Sequence, residues 1–298
     1  MADAQLPPRV VELDGPFSHV MVHTRGLRLH AATAGDPAEP LILLLHGAFG
    51  GWFEFKDVLA PLAAAGFHAA ALDMRGYGMS DKPAFRGGDP MLLAVGDIKG
   101  AVHALGHSST ILAGVDAGGA VAWVATAESP ELVRGLVSVS AAHPADLRGA
   151  IRSRPWDFLP LLARLSLHRL PLGETTRTRL YRRDLALNTT AAFHGSAAFR
   201  EAADLRQRGA QITNAQPYIR STSRLIVHSS PGGPVTAPTL LLHAPQSLWA
   251  PVVARQRRRV RPAATVTEGT VEGTKNLPHL ENPLAFAETV AGFAAQLD

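Results

Sequence analysis

Short, wholly apolar runs alternate along this chain with longer stretches whose apolar residues recur at helical spacing. LILLLHG (41–47), FHAAALD (67–73), STILAGV (109–115), GLVSVS (135–140) and PTLLLH (238–243) are too short for helices and are bounded by Pro, Gly or polar residues. Runs of this kind predict strands buried on both faces of a sheet. Helical periodicity over 52–65, 91–105, 117–128 and 250–259 separates them, and strands alternating with helices predict a parallel sheet. FSHVMVHT (16–23) and LRLHAAT (27–33) flank Arg25-Gly26 and predict an antiparallel hairpin at the sheet edge. A strand near 264–271 and a last helix over 283–296, opened by Pro283, complete the pattern. Between about 145 and 229 the strand signal stops and prolines interrupt amphipathic helical spacing. The predicted class is α/β: a doubly wound, mostly parallel sheet built from 1–144 and 230–298, with 145–229 inserted as a helical cap.

Composition narrows the function classes. With 46% hydrophobic residues over 298 positions the chain can bury a full core. It has no cysteine, which excludes disulfides, a thiol nucleophile and thiolate metal ligation. Its first twenty residues hold acids and prolines and no apolar core, so a cleaved signal is not expected and the cytoplasm is the default compartment. Asp116 and Glu128 interrupt the most apolar long window, so no membrane span is expected. The net charge of +4 raises the question of an anionic partner. Its densest basic run, Arg255, Arg257, Arg258, Arg259 and Arg261, carries no interleaved aromatics and accompanies no nucleic-acid motif, so it reads as a solvated helix face, and no nucleic-acid partner is expected. No pattern calls for a cofactor or a metal.

The candidate chemistry centres on Gly114-Val115-Asp116-Ala117-Gly118-Gly119, at the junction of a predicted strand and helix. Small residues boxed around one functional side chain let strand and helix approach closely and hold that side chain exposed at the strand end. The simpler reading of Asp116 is the N-cap of a buried helix.

Five ordered stretches together resemble the epoxide hydrolase and haloalkane dehalogenase branch of the α/β-hydrolase superfamily. They are LLLHGAFGGWFEF (43–55), LDMRGYGMSDKP (72–83), AGVDAGG (113–119), SAAHP (140–144) and VEGTKNLPHLENP (271–283). The resemblance implies Asp116 as nucleophile, attacking carbon to form an alkyl ester that a His, oriented by an acid, then hydrolyses through water. It implies Ala48 and Ala117 as oxyanion N–H donors. The implied acid position falls on Ser247, or alternatively on Ser140, and neither carries a charge; Asp146 nearby reads as the opening of a cap helix. Alignment on Pro278, Glu281 and Pro283 puts Asn276 at the His position, with His279 three residues later as the alternative base.

Other departures follow from the same alignment. Ala117 replaces the family's usual Trp, whose indole holds a leaving halide, which counts against dehalogenation. The cap tyrosines that protonate an opening epoxide have Thr222 and Ser223 in their place. Tyr181 and Tyr218 are the remaining cap candidates, or else packed aromatics. Phe49, His143, Trp249 and Lys275 are further expected pocket residues, with His143 also a candidate base. Lys275 or Asn276 is expected to hydrogen-bond Asp116; alternatively Lys275 points to solvent. The resulting expectation is a hydrolase-fold protein with little or no hydrolytic turnover and a cap-covered pocket for a small apolar molecule; the alternative is a working epoxide or ester hydrolase with an unrecognised base.

Overall fold

The computed structural model describes residues 5–84, 87–167, 170, 173–230, 233–245 and 248–297, the side chains of 164 and 165 excepted. Its strands are β1 (Ser18–Thr24), β2 (Leu27–Ala34), β3 (Leu41–Leu45), β4 (His68–Leu72), β5 (Thr110–Val115), β6 (Val133–Val139), β7 (Thr239–Leu242) and β8 (Val266–Gly269). They form one eight-stranded sheet in the order β1-β2-β4-β3-β5-β6-β7-β8. β2 pairs antiparallel with both β1 and β4, and all other pairings are parallel. β3, β4, β5 and β7 are buried at every position, as their uninterrupted apolar runs require of strands covered on both faces.

Helices α1 (Lys56–Ala64), α2 (Pro90–Ala104), α3 (Asp116–Glu128), α9 (Ala250–Arg259) and α11 (Pro283–Ala294) cover the sheet. Their buried residues join two apolar clusters, one around Trp52, Phe55, Phe286 and Ile42, the other around Trp123, Leu43 and Leu45. Between β6 and β7 lie α4 (Pro144–Ser153), α5 (Pro155–Leu167), α6 (Glu174–Asn188), α7 (Ala197–Gln211) and α8 (Ala215–Thr222). The strand signal is absent here for the reason seen in the sequence: the apolar residues repeat at helical spacing, as Phe199, Ala202, Leu205 and Ala210 do on the buried face of α7.

Three local expectations shift. The helix expected from Trp52 opens as a separate 3-10 turn over Trp52–Phe55, with the Trp52 N–H bound to the Asp73 carboxylate. The strand expected over 264–271 is confined to Val266–Gly269, and a short α10 (Pro278–Glu281) precedes α11. The chain's start also touches the inserted helices: the Leu6 N–H donates to the Gln211 carbonyl at 3.0 Å, and the Thr213 N–H to the Leu6 carbonyl at 3.1 Å.

Candidate active site

β5 passes into α3 with no intervening loop, and Asp116 at the junction has φ +48. That left-handed conformation costs a non-glycine residue about 1–2 kcal/mol, so the surroundings must impose it. They do so through backbone contact. A Cβ on Gly114 would lie 2.6 Å from the Gly119 Cα, and one on Gly118 would lie 2.5 Å from the carbonyl oxygens of Leu45 and His46. Strand, helix and the end of β3 therefore touch only because these positions are glycine. Asp116 is not the helix cap, which is Val115; it is the first helical residue, where the N-terminal dipole favours its charge. The Ala48 N–H donates to Asp116 Oδ2 at 3.2 Å. Ala117 is buried in the same small apolar cluster as Ala48.

The loop carrying Ala48 is fixed from behind. His46 is wholly buried, and burial lowers its pKa, so it stays neutral. The Met74 N–H donates to its Nε2 at 3.1 Å, which leaves the proton on Nδ1 to be donated to the Gly47 carbonyl at 2.8 Å. The Tyr77 hydroxyl donates to the Ala48 carbonyl at 2.9 Å. Asp73, also buried, accepts from the Trp52 and Met79 N–H groups and from His30 Nδ1. Burial alone would raise the Asp73 pKa, but its His30 partner outweighs that and holds it down. The LDMRGYGMSD stretch thus acts as a brace for the oxyanion loop.

In front of Asp116 is a cavity of about 130 Å³, with Phe49, Leu147, Phe158, Leu161, Ile226 and Trp249 among its apolar lining and Ser140, Asn188 and Asn276 among its polar lining. Of the expected pocket residues, Phe49 and Trp249 line this cavity, and four others do not. His143 caps α4, its Nδ1 accepting from the Ala145 N–H. Tyr181 packs its ring 5.4 Å from that of Phe49, behind the wall, and the Tyr218 hydroxyl donates to the Pro83 carbonyl. The Lys275 ammonium donates to the Leu187 carbonyl at 2.5 Å. Ser247 lies outside the described residues.

The return loop is tied to α6 instead of to the nucleophile. Asn276 donates through Nδ2 to Asn188 Oδ1 at 3.0 Å and accepts at Oδ1 from the Ser140 hydroxyl at 3.3 Å; its backbone N–H reaches the Asn188 carbonyl. Glu281 accepts from the Lys275 N–H with one oxygen and from both the N–H and hydroxyl of Thr190 with the other. The expected hydrogen bond from Lys275 or Asn276 to Asp116 is therefore replaced by bonds to the end of α6 and to Ser140. Ser140, like Asp116, is held at positive φ, here +45. Asp146 is engaged elsewhere, in a two-point ion pair with Arg259 at 2.6 and 2.8 Å.

His279 is also misplaced as a base. It is 1% exposed and sandwiched by Phe55 and Phe286, and its nearest charged neighbour is Glu54, with Nε2 3.8 Å from Oε2. It does not line the cavity; Glu54 does. Glu54 accepts at Oε1 from Arg206 Nε and Nη2, both at 2.6 Å, and Asp184 lies 3.9 Å from the same guanidinium. Burial pushes the Glu54 carboxyl up, but the Arg206 charge and nearby His279 outweigh it and bring it down to about 2. This buried charged wall was missed in the sequence. Its only local signals are a Glu between two aromatics, Phe53-Glu54-Phe55, and an Arg on the apolar stripe of α7. Among the described residues, no group of three or more His, Asp or Glu is placed to hold a metal ion.

These features define the α/β-hydrolase fold, and the comparisons agree. The chain belongs to the α/β-hydrolase fold family, whose model matches residues 40–266. Its sequence relatives lie in the epoxide hydrolase branch. It is 35% identical to mouse "Epoxide hydrolase 4" over 131 residues, 44% of this chain and 36% of that protein. It is 33% identical to "Epoxide hydrolase B" of Mycobacterium tuberculosis over 135 residues, 45% of this chain and 37% of that protein. The matched stretches thus span little more than a third of these relatives. Among solved structures, epoxide hydrolase A from Mycobacterium thermoresistibile superposes with a TM-score of 0.71 at 21% identity, covering 95% of this chain and 99% of that one. A Salmonella enterica protein described as a candidate acyltransferase superposes with a TM-score of 0.77, also at 21% identity, covering 95% and 96%. At such identities the superpositions establish the fold alone.

Proposed function

We propose that this protein is an epoxide-hydrolase-like α/β hydrolase that retains its Asp nucleophile but lacks the acid and the His of the triad. It binds a small apolar molecule beneath the helical cap formed by 145–229, with little or no hydrolytic turnover. The observation that carries this reading is Asn276, which stands in the cavity wall at the aligned His position with its amide committed to Asn188 and Ser140. An amide cannot take and return a proton near neutral pH, so it cannot activate water. Among the described residues lining the cavity none is a histidine. Besides Asp116, two carboxylates line it, and both face Arg206: Asp184 lies 3.9 Å from the guanidinium, and Glu54 has its pKa brought down to about 2, far below the range in which a carboxylate is an efficient general base at neutral pH.

The volume supports the ligand class. An enclosed apolar space of about 150 Å³ holds one benzene ring, and about 130 Å³ here accommodates a ligand of that order. The apolar wall would bury its body, and Ser140 and Asn188 supply hydrogen-bond partners for one polar group.

The Asp116 half of the site remains fit for attack. The Ala48 N–H stabilises charge on Oδ2, where it would collect if water attacked an Asp116 ester. With no base to activate that water, an ester formed from a reactive epoxide should persist. Intact-mass spectrometry after incubation with small aryl epoxides tests this. The expected result is one covalent adduct per chain, absent in Asp116→Asn, with no sustained diol release. Multiple turnovers without an adduct would overturn the reading.

A further inference from the structure

α5 is apolar on two opposite faces. Its inward face supplies Phe158 and Leu161 to the cavity wall. Its outward face presents Trp156 at 81% exposure, Leu159 at 54% and Leu167 at 44%, with Leu170 just beyond the helix at 51%. Positions 156, 159, 160, 163 and 167 recur at helical spacing, so Pro160 and Ala163, both exposed, extend the same stripe. Half of the large hydrophobics that are exposed among the described residues fall in this one stretch of fifteen positions, and Leu187 on α6 adds a further one in the same insertion. Soluble surfaces scatter such residues singly; a continuous stripe marks an interaction surface.

The charge of the insertion says what kind of surface it meets. Residues 145–229 contain fourteen arginines, no lysine and six carboxylates, a net +8 in a chain whose total is +4, so the remainder carries −4. Several of these arginines are exposed: Arg152 and Arg154 just ahead of α5, and Arg179, Arg182 and Arg183 on the next helix, α6. Asp157, 3.9 Å from Arg154, is the single acid on α5. Two copies of the chain meeting through this face would oppose like charges, which disfavours a homodimer. Among the described residues no helix is long and apolar enough to cross a membrane, so any membrane contact made by a helix here would be superficial.

We propose that the outward face of α5 docks on an anionic bilayer surface, with Trp156, Leu159, Leu167 and Leu170 among the lipid headgroups and the flanking arginines against lipid phosphates. An amphipathic helix with an aromatic and leucines on one side and arginines around it lies in the interface plane in this way. The docked helix is also a wall of the cavity, so an apolar ligand dissolved in the bilayer would meet the pocket without crossing water. The inference is independent of whether Asp116 turns over, because its test reads binding alone.

The test is co-sedimentation of the full chain with unilamellar vesicles of phosphatidylcholine, with and without phosphatidylglycerol, together with tryptophan emission. Trp52 and Trp123 are wholly buried and Trp249 is partly so, which makes Trp156 the reporter. The expected result is binding to the anionic vesicles with a blue shift, lost as salt shortens the screening length from about 10 Å at 0.1 M to about 3 Å at 1 M. Leu159→Glu with Leu167→Glu should weaken binding roughly tenfold or more while leaving the melting temperature unchanged, because both side chains are exposed. Arg179→Ala should weaken it about fivefold, equivalent to about 1 kcal/mol. No binding to anionic vesicles at low salt would overturn the proposal. So would binding that the double Glu variant leaves intact, a dimer that this variant dissociates without any vesicle binding, or binding of duplex DNA in place of vesicles.

Discussion

The two rims of the cavity are built on different principles. On one side, the elbow and oxyanion loop are set by backbone approach: glycines at 114 and 118 leave backbone where an added Cβ would meet it at about 2.5 Å, and buried His46, Tyr77 and Asp73 fix the loop behind. On the other, side-chain bonds set the loop: Ser140 donates to Asn276, Asn276 to Asn188 at the end of α6, and Thr190 just past that helix to Glu281. The first rim resembles the family in geometry, and the second departs from it in chemistry. A backbone elbow serves the fold as well as any catalysis. On the reading proposed above, a proton-transfer residue serves catalysis alone, and an amide in its place leaves the architecture standing.

Four outcomes sharpen or break this contrast, from the largest to the smallest. Gly118→Val should be the most damaging, because a Cβ there meets backbone carbonyls that cannot move aside. We expect a loss of at least about 4 kcal/mol, seen as insoluble or unfolded protein; a folded variant would mean the elbow is looser than its contacts indicate. Glu54→Gln leaves Arg206 buried without its countercharge and should cost about 3–5 kcal/mol by chemical denaturation. A change under 1 kcal/mol would show that Asp184 suffices to hold the guanidinium.

The same pair sets an acid limb of stability. The Glu54 carboxyl is brought from its ordinary 4.5 down to about 2 in the folded chain. The unfolded chain therefore binds more protons between those values, and stability from this group is present above about pH 4.5 and lost as pH falls towards 2. The contribution is of the order of 3 kcal/mol, and Glu54→Gln should flatten that limb. Asn276→Ala should be mildest of all. It removes side-chain hydrogen bonds to Asn188 and Ser140, each worth about 0.5–1.5 kcal/mol, and should leave the Asp116 adduct unaffected. Abolition of the adduct would give Asn276 a direct part in the chemistry.

The fold was legible because its strands are uninterrupted apolar runs and its insertion lacks them; those are local signals. Asp116 was legible for a related reason, since the glycines that permit its φ of +48 sit within a few residues of it. What escaped detection is non-local. The partners Glu54 and Arg206 stand 152 positions apart, and each alone reads as an ordinary helix residue. Lys275 looked poised for Asp116 because of its neighbours in sequence, but the Leu187 carbonyl at the end of α6 offered its ammonium a bond nearer the surface, sparing it burial. His279 drew attention as a spare imidazole, and only packing revealed Phe55 and Phe286 around it. Side chains whose role depends on what the insertion brings over the sheet carry no short-range signature.

The central claim is that ester hydrolysis is lost at the second rim. Its most direct test restores acid and His at the positions the sequence alignment gives: Ser247→Asp, Lys275→Gly and Asn276→His are combined, and diol release from a small aryl epoxide is followed beside the parent. Hydrolases stripped of triad residues retain only about 10³ to 10⁴-fold catalysis over water from binding and the oxyanion hole. The account predicts that the triple variant gains at least roughly tenfold in kcat over the parent and no longer accumulates the Asp116 adduct. A parent that already matches the triple variant in steady-state turnover would contradict it.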